Sequence, residues 1–154
     1  MESTWKEKIE QAQTTGEVRY AFEPPITSLE KKEFLYKLKI NFPKHLLGLY
    51  EESNGVIAML DHIIIGDLIW PSRKVVEENL KFRRDKNIND IYAPFNDFLF
   101  FADAGSGDQF AFKITSNFPG PEIYAWDHED DSRTQIAPTL EDFLTGWISG
   151  NIRM

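Results

Sequence analysis

Two short polar stretches hold most of the residues that could do chemistry. Asp103-Ala104-Gly105-Ser106-Gly107-Asp108 sets two carboxylates around a pair of glycines, and Asp127-His128-Glu129-Asp130-Asp131 sets four carboxylates in five positions around a histidine. The glycines do not extend to G-x-x-x-x-G-K-[ST] or to G-x-G-x-x-G, so neither phosphate-binding loop is present. Ser106 lacks the G-x-S-x-G frame of a nucleophile elbow. Tested as a calcium loop, Asp127, Glu129 and Asp131 fill places one, three and five. Ser132 then stands where glycine is needed, and Pro138 stands where a bidentate Glu is needed. His128 could share an oxygen-rich metal site with Asp103 or Asp108, but four ligands would have to converge from two hairpins. The other histidines, His45 and His62, sit beside leucines and in a turn. No nucleophile, base and orienting group occur together, so neither an enzyme nor a metal or other cofactor is expected. Asp and Gly are also ordinary turn formers, which is the plainer reading of residues 103–108. Tyr124 and Trp126 alternate with His128. Either they present aromatic surface as an interface anchor, or Trp126 packs under a closing helix at Trp147.

Charge narrows the partners. The 154 residues carry 25 acids against 17 bases, a formal charge of −8, which repels phosphate backbones and disfavours direct nucleic-acid binding. Bases gather between Arg73 and Lys86, acids between Asp127 and Asp131. A focused acidic edge suits a basic partner, although solubility alone would also account for it. With no cysteine there are no disulfides, thiolate nucleophiles or Cys-held metals. Neither a secretory leader nor an apolar run of about 18 residues is present, so a cytoplasmic chain away from membranes is expected. Its length, with 42% hydrophobic and 14% aromatic residues, fits one domain, residues 1–154, with a Phe- and Trp-rich core.

The elements that must hold these stretches follow from periodicity. Residues 3–15 form a helix on Trp5, Ile9 and Ala12. Thr27-Ser-Leu-Glu30 is a capping box opening a second helix, and Pro43 starts a third that ends at Asn54-Gly55. Strands are expected at 56–60 and 63–65, with Asp61-His62 turning between them. Ser72 caps a helix to about Arg84, and 85–97 reads as loop. A hairpin then joins strands 98–103 and 108–114, with Phe110, Phe112 and Ile114 on one face. After turns from Thr115 to Pro121 comes a strand at 123–128, and Pro138-Thr139 opens a closing helix. Strands in succession predict an α+β fold whose sheet is mainly antiparallel, with the helices of the first 55 residues packed on one side.

These pieces, in this order, resemble the SUKH superfamily, which takes in the yeast cell-wall assembly regulator and many bacterial relatives. The likeness rests on Ile40-Asn-Phe42-Pro43, then Leu46-x-x-Leu49-Tyr50-x-x-x-Asn54-Gly55, and on Leu68-Ile69-Trp70 leading into a helix. It continues with Phe100-Phe101-Ala102-Asp103-Ala104-Gly105-Ser106-Gly107-Asp108, Ile123-Tyr124-Ala125-Trp126-Asp127-His128-Glu129, and Leu140-x-x-Phe143-Leu144. In detail the chain looks like the bacterial YobK type. The match covers most of a core at 26–148 and leaves residues 1–25 as an N-terminal helical extension. The resemblance implies a non-enzymatic fold. It also implies an immunity protein that neutralises a polymorphic toxin, a basic nuclease domain, by stoichiometric binding. Asp103, Asp108, Trp126, Asp127, His128, Glu129, Asp130 and Asp131 are the expected contact residues. The alternative, suggested by the fungal relatives, is a regulatory scaffold or ligand-sensing domain.

Overall fold

A computed structural model describes residues 3–13 and 16–154. The expected first helix is present as α1 (Trp5–Ala12), capped by the Thr4 hydroxyl; Thr14 and Thr15 lie outside the described residues. The chain continues through β1 (Arg19–Phe22), α2 (Ser28–Leu38), α3 (Lys44–Tyr50), β2 (Val56–Leu60), β3 (Ile63–Ile69) and α4 (Ser72–Arg84). Then come α5 (Lys86–Ile91), β4 (Phe98–Asp103), β5 (Gln109–Thr115), β6 (Phe118–Trp126), β7 (Arg133–Ala137) and α6 (Leu140–Ser149). The class is α+β and every strand pairing is antiparallel.

The strands divide into two sheets rather than one, β1-β2-β3 and β4-β5-β6-β7. The reason lies on the outer edge of β4. Buried Asn79 of α4 accepts from Phe100 N at 2.8 Å and donates to Phe100 O at 2.8 Å, while Arg83 donates to Phe98 O. Only Trp70 N, just beyond β3, reaches this edge, donating to Phe101 O at 2.9 Å. Helix α4 therefore takes up the backbone groups that a continuing strand would use, and among the described residues a single backbone bond joins the two sheets.

Helices cover both faces of the larger sheet. Phe110 and Phe112 of β5 share one face with Phe101, beneath Phe143 and Trp147 of α6. Phe98, Phe100, Tyr124 and Trp126 share the other with Phe82 of α4 and with Tyr92 and Phe95. Of the first three helices, α1 rests on α6 and on α3 through Trp5 and His45, and α2 rests on α4.

The Asn54-Gly55 pair does more than stop α3, which already ends at Tyr50. Pro71 precedes α4 and has no side chain that can cap it, and Ser72 is its first helical residue rather than its cap. Asn54 supplies the cap from a distance: its Oδ1 accepts from Ser72 N at 2.8 Å, and its Nδ2 donates to Ser72 Oγ and to Glu30 Oε2 of the α2 capping box. Gly55 has φ +100°, and a Cβ there would lie 2.9 Å from Pro71 N, so this crossing requires glycine.

Candidate functional site

The two polar stretches do come together. Strands β4 and β5 carry the 103–108 turn, and β6 pairs with β5 in a register that sets Gln109 opposite Trp126. The next residues outward, Asp108 and Asp127-His128, therefore meet at the same end of the sheet. His128 Nδ1 lies 2.6 Å from Asp108 Oδ1, which also accepts from His128 N at 3.0 Å. The imidazole lies close over Gly107 (φ +107°), where a Cβ would come 2.8 Å from its Cε1. The turn thus needs glycine at 107 to seat the ring and a carboxylate at 108 to hold it. Tyr92 OH donates to His128 O from the far side of the loop. The hydrogen bond that Asp108 accepts from the ring raises the His128 pKa above its usual value against some desolvation, and the charges of Asp108, Glu129 and Asp127 add to the rise.

The remaining candidates separate into anchors and free groups. Asp103 is an anchor: its Oδ2 accepts from Trp70 Nε1 at 2.7 Å and its Oδ1 from Gly105 N. Asp131 is the most heavily engaged. Its Oδ1 accepts from Trp126 Nε1 at 2.7 Å and from Arg133 Nη2 at 2.9 Å, and its Oδ2 accepts from Ala93 N at 2.9 Å. Desolvation alone would raise its pKa, but the bonds from Ala93, Trp126 and Arg133 together bring it below the usual carboxylate value. Asp131 is therefore tied into the fold rather than left to solvent.

Trp126 also departs from both readings made of it. It is 4% exposed, so it offers no aromatic surface, and it packs edge-on to Phe82, Tyr92 and Phe95 on the face away from Trp147. Its indole N–H holds the acidic loop from beneath.

Three acids of the loop are less engaged. Asp127 and Asp130 spend one oxygen each on the backbone, accepting from Glu129 N and Ser132 N, both at 2.9 Å. Glu129 and Asp130 are exposed, and Asp127 is half-buried. The Ser132 N–H and hydroxyl lower the Asp130 pKa, so it stays charged.

Arg133, unremarked in the sequence, locks this end together. Besides Asp131 it donates to Pro94 O and Ala93 O, both at 2.8 Å, and its guanidinium lies 4.2 Å from the Phe95 ring centroid. The segment read as loop, 85–97, thereby becomes a strap across the acidic end, with α5 inside it.

Among the described residues, one group has metal-ligand proximity: Asp108, Asp127 and His128, with ligand atoms within 4.8 Å of one another. Two of those residues, His128 and Asp108, are already hydrogen-bonded to each other through Nδ1 and Oδ1. As placed, the arrangement is a clasp between loops, and its free chemistry is negative charge.

No helix among the described residues is long and apolar enough to cross a membrane. No curated protein matches the chain significantly. The family described as SUKH_6: SMI1-KNR4 cell-wall matches residues 28–144, which takes in the Asn54-Gly55 tie, the 103–108 turn and the acidic loop. With well over half its length matched, the chain belongs to the SUKH superfamily.

Proposed function

We propose that this chain is an immunity protein, a non-enzymatic inhibitor that binds and neutralises a basic toxin domain of the nuclease class. The observation that carries this reading is the acidic loop with Glu129 and Asp130 exposed and Asp127 half-buried beside them. The loop is fixed by Asp108–His128 on one side and by Asp131–Arg133 on the other. Fixed carboxylates suit a surface evolved to hold phosphate, because their negative charge is already in place when the partner arrives. Membership of a superfamily known for immunity proteins supports the same reading. The test is to search the genes beside this chain's for a toxin domain and to express that domain with and without the chain. Survival together with a one-to-one complex is expected. Loss of viability despite abundant chain would overturn the proposal.

A second reading has its own observation. A cleft of about 450 Å³ lies between the N-termini of α2 and α4, lined by Glu23, Glu30, Asn54, Ile57, Asp67 and Arg73. This size admits a small ligand, as a sensing domain would need. A thermal-shift screen with small amino acids and amines would favour that reading if one of them raised the melting temperature while toxin protection was absent.

A further inference from the structure

Building on the ligand-sensing reading, we infer that the cleft of about 450 Å³ between α2 and α4 binds a free basic amino acid, lysine or arginine. The walls of this cleft are fixed before any ligand arrives. Residues 23–27 form neither helix nor strand, yet their backbone is pinned at three points. Glu23 N donates to Ser53 Oγ at 2.8 Å, Pro24 O accepts from Asn54 N at 2.9 Å, and Ile26 N donates to Tyr50 O at 2.8 Å. Beneath them runs the Asn54-Gly55 crossing, packed against Pro71. A preformed site of this kind spends little binding energy on ordering itself. Pro24, Pro25, Pro71 and Ile57 give it an apolar lining, along which the methylene stem of a lysine or arginine can lie.

Charge selects among ligands that fit the space. Four charged side chains line the cleft: Glu23, Glu30, Asp67 and Arg73. Lys74 Nζ lies 3.7 Å from Asp67 Oδ2 and answers that acid. Glu33, which also feels the charge of Arg73, is held by Lys37 at 2.9 Å. Two acids and one base remain. Glu30 is preset, its Oε1 accepting from Thr27 N and its Oε2 from Asn54 Nδ2, both at 3.0 Å, and each oxygen keeps a lone pair for a ligand. Among the described residues, neither Glu23 nor Arg73 enters an ion pair.

Lysine and arginine carry the complementary set, two cations and one carboxylate. A neutral amino acid leaves one acid unanswered, and a diamine leaves Arg73 unanswered. Each missing group strands a charge, and that difference is what discriminates. A metal ion does not suit the cleft, because Glu23, Glu30 and Asp67 do not converge. The described residues bring only Asp108, Asp127 and His128 within ligand distance of one another.

Isothermal titration calorimetry of the full chain with L-lysine and L-arginine, each up to about 10 mM, tests this. One-to-one binding of at least one of them is expected. L-Norleucine, which lacks the side-chain amine, and 1,5-diaminopentane, which lacks the carboxylate, should each bind weaker by roughly tenfold or more. Glu23→Gln and Arg73→Gln should each weaken binding by a similar factor while the melting temperature of the free chain holds. If neither variant folds, the ligand series on the parent chain decides alone. Folded variants that bind as the parent does would overturn the inference. Nα-Acetyl-L-lysine amide binding as tightly as lysine would also overturn it, by showing that the cleft reads a basic side chain of a protein partner. Norleucine binding as tightly would replace the ligand but leave the sensing reading standing. No binding by any of these compounds, and no thermal shift in the wider screen, would remove both.

Discussion

His128 and Asp108 show how a single pair can tie two sequence motifs into one surface. Folding raises the His128 pKa above its ordinary value of about 6.5, with the Asp108 bond as the largest cause. A group whose pKa rises on folding stabilises the native state most below its unfolded value. That contribution is lost as pH climbs through the folded value. The melting-temperature gap between the parent and His128→Gln should therefore be widest below about pH 6.5 and narrow at higher pH; a gap that does not vary with pH would contradict the clasp. Asp131 makes the complementary case. Asp131→Asn leaves the Arg133 guanidinium and the Trp126 N–H without their charged acceptor and should cost about 1–3 kcal/mol in urea unfolding. Glu129→Gln, two positions away and exposed, should stay within about 0.5 kcal/mol. Equal losses for both would show that Asp131 is no more than another surface acid.

At the scale of elements, the two glycine positions that look alike in sequence carry different constraints. Gly55 and Gly105 both have positive φ, but a Cβ at 105 meets nothing within 4 Å while one at 55 meets the Pro71 backbone. Gly105→Ala should cost roughly 1–2 kcal/mol from conformation alone. Gly55→Ala adds the steric clash and should reach about 2–4 kcal/mol. Thermal melts reversing that order would refute the tie between α2, β2 and α4. What was legible in the sequence follows the same division. The alternation of Phe110, Phe112 and Ile114, the Thr27–Glu30 capping box and the Asp61-His62 turn are local signals, and each appears as read. Strand β1 is too short, four residues, to show a period, and β7, Arg133-Thr-Gln-Ile-Ala137, is a polar edge strand with little alternation. Helix α5 has six residues, none of them buried, and hence no apolar face to find. The trans cap by Asn54 and the use of Asn79 to close the β4 edge depend on partners 18 and 21 residues away, beyond any pattern that periodicity can detect.

For the whole molecule, the question is whether charge at one end of the larger sheet governs partner capture. That the two polar stretches share this end was legible in the sequence, because the acids are contiguous and the hairpin turn is local. The sequence could not separate anchors from free groups, since Trp126 and Arg133 claim Asp131 only once the chain is folded. That separation sharpens the decisive variant. Changing Asp127, Glu129 and Asp130 to Asn, Gln and Asn removes three of the 25 carboxylates, and Asn keeps the side-chain oxygens that accept from Glu129 N and Ser132 N. Mutual repulsion falls, so the melting temperature should hold or rise slightly. Exposed interfacial charges act mainly on encounter, so the association rate with a basic toxin domain should drop, and its salt dependence should flatten. Dissociation should change less, because no buried partner is stranded. Stopped-flow association at low and high salt separates these outcomes. A folded triple variant that associates at the parent's rate, with the parent's salt slope, would reduce the acidic loop to a solubility feature and move the toxin interface elsewhere on the molecule.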